Sequence, residues 1–186
     1  MTTPGESTLQ NEIASLDWKG IASGLDDYGY AVIGPLLTPE ECGSLTGAYG
    51  DEKLYRRIVV MEDKGYGRGE YKYYSYPLPP VVEGLRNGLY PFLAKIANRW
   101  NEALSQSVRY PEDHESFKAR CREAGQTKPT PLILRYESGD YNCLHQDIYG
   151  EHVFPLQVAC LLSEPGRDFS GGEFILTADR ARMQPS

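Results

Sequence analysis

The sequence predicts an α+β fold, and the order of its helical and strand patterns is the main reason. Apolar residues recur mostly at helical spacing between Trp18 and Gly125, whereas short apolar runs with period two dominate from Pro129 onward. Helices thus come first and a run of strands follows, which fits a sheet carrying a helical layer better than an alternating βαβ chain. The 186 residues suffice for one domain with a sizeable core.

The first third of the chain predicts two helices and one short strand. After a start expected to be mobile (residues 1–16), Trp18, Ile21 and Leu25 recur at helical spacing. The "YGYAVIG" segment (28–34) predicts a strand with its three apolar residues 31–33 buried. In "TPEEC", Thr38 is expected to cap a helix that runs to about Tyr49, with Pro39 in its first turn and Glu41 completing a capping box.

The middle of the chain predicts two strands and two helices. Together with the two preceding helices and the short strand between them, they make up a supporting region over residues 17–128. Strands are expected over Leu54–Val60 and Glu70–Tyr76, separated by the glycine-rich loop "DKGYGRGE". The tyrosines of "EYKYYSYPLPP" fit a half-buried strand face, and a substrate-groove wall is the alternative. A long helix should begin near Pro79 and pack across the sheet, and "PEDHESFKARCREAG" should form another that ends at Gly125 and leaves His114 solvated.

The last part of the chain, residues 129–186, predicts strands joined by turns. The expected strands are Leu132–Tyr136, Tyr141–Gln146, Val153–Leu162 and Glu173–Thr177. Together with the preceding strands they would form the sheet on which the helical layer packs.

Composition narrows the classes of partner. The formal net charge of −7 argues against a nucleic-acid backbone as the main partner, because such binding depends on clustered Lys and Arg, and Arg180 and Arg182 are more consistent with a solvated surface. The first residues lack the basic start and apolar stretch of a secretion signal. The sequence also has no apolar window long enough for a membrane span. Four cysteines without C-x-x-C spacing favour reduced thiols. We therefore expect a cytoplasmic protein that binds neither nucleic acid nor membranes.

The chemistry-bearing motif is the pair His145 and Asp147 in "LRYESGDYNCLHQD". Alternate residues of a strand share a face, so both side chains would converge on one ion. An imidazole nitrogen and a carboxylate oxygen suit Fe(II), Mn(II) or Zn(II), and with one more histidine they form the triad of non-haem iron oxygenases. Cys143 would extend the pair to a zinc-like set, but three ligands in a row on one extended strand wrap a tetrahedral ion poorly, which favours a pocket-wall or core role. His152, beyond a predicted turn, could fold back towards the metal, but its position favours an exposed loop histidine.

The stretch from Pro129 to Gln184 resembles the 2-oxoglutarate- and iron(II)-dependent oxygenases, in particular their prolyl-hydroxylase-like branch. The similarity rests on "LRYESGDYNCLHQD" and on "VACLLSEPGRDFSGGEFIL", which holds the aromatic–x–Gly-Gly turn. It implies that residues 129–186 are the first part of a double-stranded β-helix (jelly-roll) core, with a helical layer packed on the sheet. It also implies a hydroxylase-type dioxygenase that uses Fe(II) and 2-oxoglutarate, with ascorbate as a candidate reductant.

The resemblance assigns roles to individual residues. His145 and Asp147 would be the first two iron ligands, and Tyr136 would bind the 2-oxoglutarate carboxylate. Tyr141 would project from the strand face of His145 and line the pocket, and Gly171 and Gly172 would form a turn with unusual backbone angles. Simple packing is the alternative for both tyrosines. The substrate would be a small molecule or a protein residue.

The family pattern is incomplete in this sequence. The distal histidine and the arginine or lysine that follows it in related enzymes have no counterpart after His152, since Arg180 and Arg182 come too early. We expect a truncated and weakly active or inactive form, with strands supplied by a partner chain as an alternative. Incomplete sheet edges would favour self-association. Two other readings stay open: a non-catalytic binding relative that uses Tyr66–Tyr76 as its surface, and a simple metal hydrolase.

Overall fold

The computed structural model describes residues 4–147 and 153–177, and in these ranges it combines helices with two small antiparallel sheets. The helices are α1 (Pro4–Ala14), α2 (Trp18–Tyr28), α3 (Pro39–Gly47), α4 (Pro80–Ala103) and α5 (His114–Glu123). The strands are β1 (Tyr55–Val60), β2 (Gly67–Arg68), β3 (Glu70–Tyr74), β4 (Leu132–Arg135) and β5 (Tyr141–Asn142). Short 3₁₀ turns lie at Ala48–Gly50, Glu52–Leu54 and Glu62–Lys64. The α+β class is confirmed. A jelly-roll core is not among the sheets of the described residues, whose strand orders are β1-β3-β4 and β2-β5.

The N-terminal segment differs from the expected mobile start, because most of residues 1–16 belong to α1. Leu9 and Ile13 are one helical turn apart and both are buried, with Ile13 fully so. They pack on α4 where it carries Gly84 and Gly88, and a Cβ at position 88 would lie 2.7 Å from Ile13 Cδ1. Two small residues one turn apart therefore open a groove for α1, and this pairing of distant segments is not visible in the polar sequence of α1 itself.

Helix α2 forms where the apolar spacing predicted it, but the strand expected after it is absent. Trp18 stacks on Phe92 of α4 with ring centroids 4.4 Å apart and donates from its indole nitrogen to the Ile13 carbonyl at 2.9 Å. Residues 30–36 lie outside every helix and strand of the structure, and Val32 is 88 % exposed. The prediction of a buried strand there is wrong because β-propensity alone does not supply a neighbouring strand to pair with.

The start of α3 confirms the predicted capping box. Thr38 Oγ1 accepts a hydrogen bond from the Glu41 amide at 3.2 Å, and the Thr38 amide donates to Glu41 Oε2 at 2.8 Å. These two bonds satisfy amide groups that have no partner inside the helix. The helix ends at Gly47, and the 3₁₀ turn that follows it carries Tyr49 into the core.

The three-stranded sheet has a helix-side face that forms the main core. Tyr55, Tyr74 and Ile133, one from each strand, cluster there with Tyr49 and Leu78. The predicted strands of the middle region are thus confirmed, as are the long helix after Pro79 and the helix before Gly125. The long helix does not lie across the sheet as predicted, because most of its apolar side, including Leu85 and Leu89, packs against α1 and Trp18. Of the tyrosines in "EYKYYSYPLPP", Tyr74 is core, whereas Tyr71 and Tyr73 are half-buried on the opposite face.

A buried lysine sits at the edge of this core. Lys72 is 7 % exposed, and its Nζ donates to the Tyr49 carbonyl at 3.0 Å while lying 4.2 Å from the centroid of the Tyr49 ring. Glu70 Oε1 is 3.6 Å from the same ammonium. The Tyr49 hydroxyl, whose pKa is raised by burial, donates to Glu70 Oε1 at 2.9 Å. Each charge of this set is compensated by a neighbour, as buried charges require.

The strands predicted for the last part of the chain are only partly present. Leu132–Tyr136 is confirmed as β4, and Tyr141–Gln146 shortens to β5. The segments Val153–Leu162 and Glu173–Thr177 join neither sheet, and Phe174 is 80 % exposed. Alternating side chains indicate a strand, but a ladder also needs a partner, and the described residues offer these two segments none. Phe154 instead anchors its segment, with its ring centroid 4.9 Å from that of Tyr110 and 5.4 Å from that of Tyr90.

The structure also bears on the state of the cysteines and on membrane-spanning helices. The four cysteines form no disulfide. None of the helices in residues 4–147 and 153–177 is long and apolar enough to cross a membrane.

Candidate metal centre

The glycine-rich loop between β1 and β3 holds the segment that carries the H-x-D motif. Strand β2 of this loop pairs with β5 in the register Gly67–Asn142 and Arg68–Tyr141. The amide of Cys143 then donates to the Tyr66 carbonyl at 2.8 Å, which extends the contact beyond the strand. The sequence predicted this loop only as a connection, so its role as a support for β5 was missed.

Gly67 allows strands β2 and β5 to approach each other closely. Its φ is +122°, a backbone conformation that L side chains rarely adopt, and a Cβ at this position would lie 2.2 Å from the Tyr141 carbonyl oxygen. Any other residue would push β5 away from the loop. The signal in the sequence is the G-x-G spacing of Gly67 and Gly69, which has this meaning only once the facing strand is known.

His145 and Asp147 lie close together, as the motif predicted, but not for the predicted reason. His145 Nε2 is 3.6 Å from Asp147 Oδ1, and the two side chains are 48 % and 46 % exposed. Strand β5 ends at Asn142, so both residues follow the strand and the period-two argument does not reach them. The expected common strand face of Tyr141 and His145 is therefore wrong, and Tyr141 is 55 % exposed.

Two hydrogen bonds orient the pair. His145 Nδ1 lies 2.8 Å from the Cys143 carbonyl oxygen. Because a carbonyl only accepts, Nδ1 carries the proton, and in the neutral ring Nε2 keeps its lone pair for a metal ion. On the other side, Gln157 Nε2 donates to Asp147 Oδ2 at 3.1 Å, which leaves Oδ1 beside the imidazole. A metal-binding histidine and carboxylate are commonly held by such outer contacts.

Tyr136 contacts the glycine-rich loop that also supports the H-x-D segment, but at a different residue. It directly follows β4, and its ring covers Gly69, where an added Cβ would lie 3.0 Å from Tyr136 Cδ1. The residue is 44 % exposed. Burial raises the pKa of its hydroxyl, and a hydrogen bond with the Asn142 side chain of β5 partly offsets that rise. Tyr136 is thus tied to the strand that precedes the His–Asp pair.

A complete metal site is not present in the described ranges. Within residues 4–147 and 153–177, no group of three or more His, Cys, Asp or Glu side chains is placed to hold a metal ion. Cys143, the alternative third ligand, is exposed, and its Sγ lies 3.9 Å from the Gly65 carbonyl oxygen. The other sequence candidates, His152, Arg180 and Arg182, lie outside the described residues.

Two sequence predictions outside the H-x-D segment can also be compared with the structure. Gly171 and Gly172 have φ values of +76° and +71°, so the Gly-Gly turn has the unusual backbone angles expected of it. His114, in contrast, is not solvated. It is 8 % exposed at the start of α5, with Nδ1 2.7 Å from Asn87 Oδ1 and its ring centroid 5.2 Å from that of Tyr90. The N-cap Asp113 turns it towards α4, which the charged helix sequence concealed.

His114 is held neutral by its surroundings. Burial lowers its pKa to about 4, and the cationic Arg86 and Lys118 act in the same direction, against the opposing effect of Glu83 and Glu115. A neutral imidazole can donate from Nδ1 to the Asn87 amide oxygen, so this hydrogen bond is consistent with an uncharged, packed ring. His114 is therefore part of the α4–α5 interface, remote in sequence from the His145–Asp147 pair.

Comparison with known proteins identifies a related family. The model of the Oxygenase-NA family, described as an oxygenase catalysing oxidative methylation of damaged DNA, matches residues 69–186. Two relatives, both described as uncharacterized proteins from strains of Mycobacterium tuberculosis, are 42 % identical over 141 residues. The match covers 76 % of this chain and 55 % of each relative, so the chain spans about half the length of the relatives it matches. No solved structure matches.

Proposed function

The chain belongs to the Oxygenase-NA family, and from that premise we propose that it is an iron(II)- and 2-oxoglutarate-dependent oxygenase of the hydroxylase type. In this proposal His145 and Asp147 are two protein ligands of the iron and Tyr136 contacts 2-oxoglutarate. The double-stranded β-helix is proposed as the architecture of the whole protein, with residues 129–186 as the first part of its core.

The approach of His145 Nε2 to Asp147 Oδ1 at 3.6 Å carries this proposal. The donor set, one imidazole nitrogen and one carboxylate oxygen, is the adjacent pair of the two-histidine, one-carboxylate triad. Both side chains are about half exposed, and the proton on Nδ1 leaves Nε2 available. These residues therefore fit Fe(II). When bound, the iron and 2-oxoglutarate would supply the activation of O₂ that this class of oxygenase requires.

The protein side chains have defined tasks in this scheme. Gln157 holds one oxygen of Asp147, so the other oxygen is presented to the metal. The Tyr136 hydroxyl is protonated at neutral pH, since burial raises a pKa that is ordinarily already about 10, and a protonated hydroxyl can donate a hydrogen bond to a carboxylate. We propose that the third protein ligand lies outside the described residues, with His152 as the candidate within this chain.

The substrate class follows from the family description, which names damaged DNA. We propose a base in a nucleic-acid strand as the substrate. The net charge of −7 argues against tight binding to a nucleic-acid backbone by the chain as a whole, but it does not describe individual surfaces. This proposal replaces the small-molecule or protein-residue substrate, and the absence of a nucleic-acid partner, that the sequence alone led us to expect. The cytoplasmic location stays a prediction from the sequence.

Anaerobic titration with Fe(II) and 2-oxoglutarate tests the proposal. The expected result is an absorbance band in the green region that needs both additions and is lost in His145→Ala and Asp147→Ala. His114→Asn is the matched control, because it removes a histidine that packs between α4 and α5, and it should keep the band. A wild-type chain that binds neither Fe(II) nor 2-oxoglutarate would contradict the proposal and favour a non-catalytic binding relative.

A further inference from the structure

The face of the β1-β3-β4 sheet opposite the main core has an unusual composition. We call it the tyrosine face. Its members follow from strand alternation and register: Arg57, Val59, Tyr71, Tyr73, Leu132 and Leu134. Val59 is buried, whereas the other five are half-buried or exposed. Arg56 joins them, because the pairing of β1 with β3 shifts between Tyr55 and Arg57 and places its side chain over Tyr73. This bulge thus puts two consecutive arginines on one face.

The aromatic rings of this face form a platform. The rings of Tyr71 and Tyr73 meet edge to face, with centroids 5.5 Å apart and an interplanar angle of 80°. Tyr66, from the glycine-rich loop, is 49 % exposed and is close enough to act electrostatically on Tyr71, whose pKa is raised mainly by burial. Nucleobases stack on accessible tyrosine rings with little dependence on sequence, and on this platform Tyr66 is exposed whereas Tyr71 is half-buried.

The charges of the tyrosine face all have the same sign. The charged residues that β1, β3 and β4 place on it are Arg56 and Arg57, whereas Glu70 and Lys72 belong to the helix-side face. The Arg56 guanidinium lies 4.4 Å from the centroid of the Tyr73 ring, and its Nε donates to the Pro129 carbonyl at 3.0 Å. Arg57 is exposed. In a chain with a net charge of −7, the three strands thus place only positive charge on this face.

The tyrosine face continues into the candidate metal centre. The register places Tyr71 beside Leu134, and one step further along the same face Gly69 meets the ring of Tyr136. Tyr136 is linked to Asn142 of β5, which leads to His145. A strand lying along Tyr73 and Tyr71 would therefore end next to the residues that we propose to bind iron and 2-oxoglutarate.

We propose that the tyrosine face is the binding surface for a single-stranded nucleic acid, whose bases stack on Tyr71 and Tyr66 and whose phosphates bind Arg56 and Arg57. This inference rests on the proposed function, which it deepens by naming the residues that hold the substrate. Guanidinium groups bind phosphate oxygens with paired hydrogen bonds, and tyrosine rings supply the stacking surface. Charge complementarity and continuity with the candidate centre select this occupant over a second copy of the chain.

Fluorescence anisotropy with a labelled single-stranded DNA of about 12 nucleotides tests the proposal on the 186-residue chain. Tyr71→Leu is expected to raise the Kd about 10-fold through loss of stacking. Arg57→Gln is expected to raise the Kd and to lower the slope of log Kd against log salt by about one. An abasic strand of equal length should bind more weakly than the normal strand, because it has no bases to stack.

Matched controls separate this surface from general effects. Tyr28→Leu removes a tyrosine that is 73 % exposed on α2, and Arg122→Gln removes an arginine that pairs with Glu115 on α5. Both should leave the Kd unchanged. Thermal unfolding reports whether Tyr71→Leu is folded, and Arg57→Gln carries the test alone if it is not, since Arg57 is exposed.

The outcomes distinguish this inference from the proposed function. Binding that depends on Arg57 and Tyr71 but persists in His145→Ala supports the surface, even if the iron and 2-oxoglutarate band fails to form. A band that forms in a chain that does not bind DNA, or equal weakening by Arg57→Gln and Arg122→Gln, overturns the inference alone. A dimer in gel filtration that Arg57→Gln or Tyr71→Leu dissociates would also overturn it, in favour of a second copy as the occupant.

Discussion

His145 Nε2 lies 3.6 Å from Asp147 Oδ1, although both residues come after the end of β5 and belong to no strand. Their approach depends on contacts with two other parts of the chain: the Tyr66 carbonyl, which binds the Cys143 amide, and Gln157, which binds Asp147. The candidate centre is therefore a tertiary arrangement of three segments, and it should respond to changes at residues that do not bind the metal themselves.

The contact of Gln157 with Asp147 gives a first test of that dependence. On the proposed iron site, Gln157→Leu should weaken Fe(II) binding about 10-fold, because it removes the donor that orients the carboxylate. Anaerobic Fe(II) titration measures the change, with Gln126→Leu, an exposed glutamine after α5, as the control. Unchanged affinity in Gln157→Leu would show that the hydrogen bond has no part in metal binding.

Gly67 should be intolerant of substitution. Gly67→Ala is expected to lower the free energy of unfolding by at least about 2 kcal/mol, since the residue has φ +122° and the added Cβ would meet the Tyr141 carbonyl. Urea unfolding measures the change. Gly43→Ala, in α3 with open space around the added Cβ, should instead raise stability by up to about 1 kcal/mol. Equal stability of Gly67→Ala and the wild type would contradict the close pairing of β2 with β5.

The buried histidine predicts a loss of stability at acid pH. The pKa of His114 is about 4 in the folded protein against an ordinary value of 6.5, so the unfolded chain takes up a proton as the pH falls through 6.5 and the folded chain does not. Stability should therefore fall between pH 6.5 and pH 4, by up to about 3 kcal/mol from this group. Above pH 6.5 the group contributes no pH dependence.

Unfolding of wild type and His114→Asn across this pH range isolates the effect. The variant keeps an amide near Asn87 but cannot be protonated, so the difference in unfolding free energy between the two proteins should change between pH 6.5 and pH 4. Carboxylates titrate in both proteins and cancel. Parallel pH profiles would mean that His114 is protonated in the folded protein as readily as in the unfolded one.

Lys72 should matter for stability in spite of its charge. Lys72→Met removes the donor to the Tyr49 carbonyl and the cation beside Glu70, and we expect it to lower the free energy of unfolding by about 2 kcal/mol. Adding Glu70→Gln should recover part of the loss, because the carboxylate then needs no nearby cation. Lys53→Met, at an exposed position, should change stability by less than about 0.5 kcal/mol. A Lys72→Met protein as stable as the wild type would show that the contacts of Lys72 make no net contribution to the free energy of unfolding.

The local features of this protein follow from its sequence alone. The capping box of Thr38 and Glu41, the helical faces of α2 and α4, and strands β1, β3 and β4 depend on residues that are near one another in the chain, so their patterns could be recognised directly. The H-x-D motif likewise put His145 and Asp147 forward as a pair, because one intervening residue keeps two side chains within reach in many backbone conformations.

Tertiary structure decided where these features meet. The burial of Ile13 against the glycines of α4, the neutral state of His114, and the support of β5 by Gly67 all join residues far apart in the chain. The same holds for strands: 30–36 and 153–162 carry apolar patterns, yet they join no sheet in the described residues, because a strand needs hydrogen-bonding partners that its own sequence cannot specify. Local sequence sets what a segment can form, and the packing of distant segments selects what it does form.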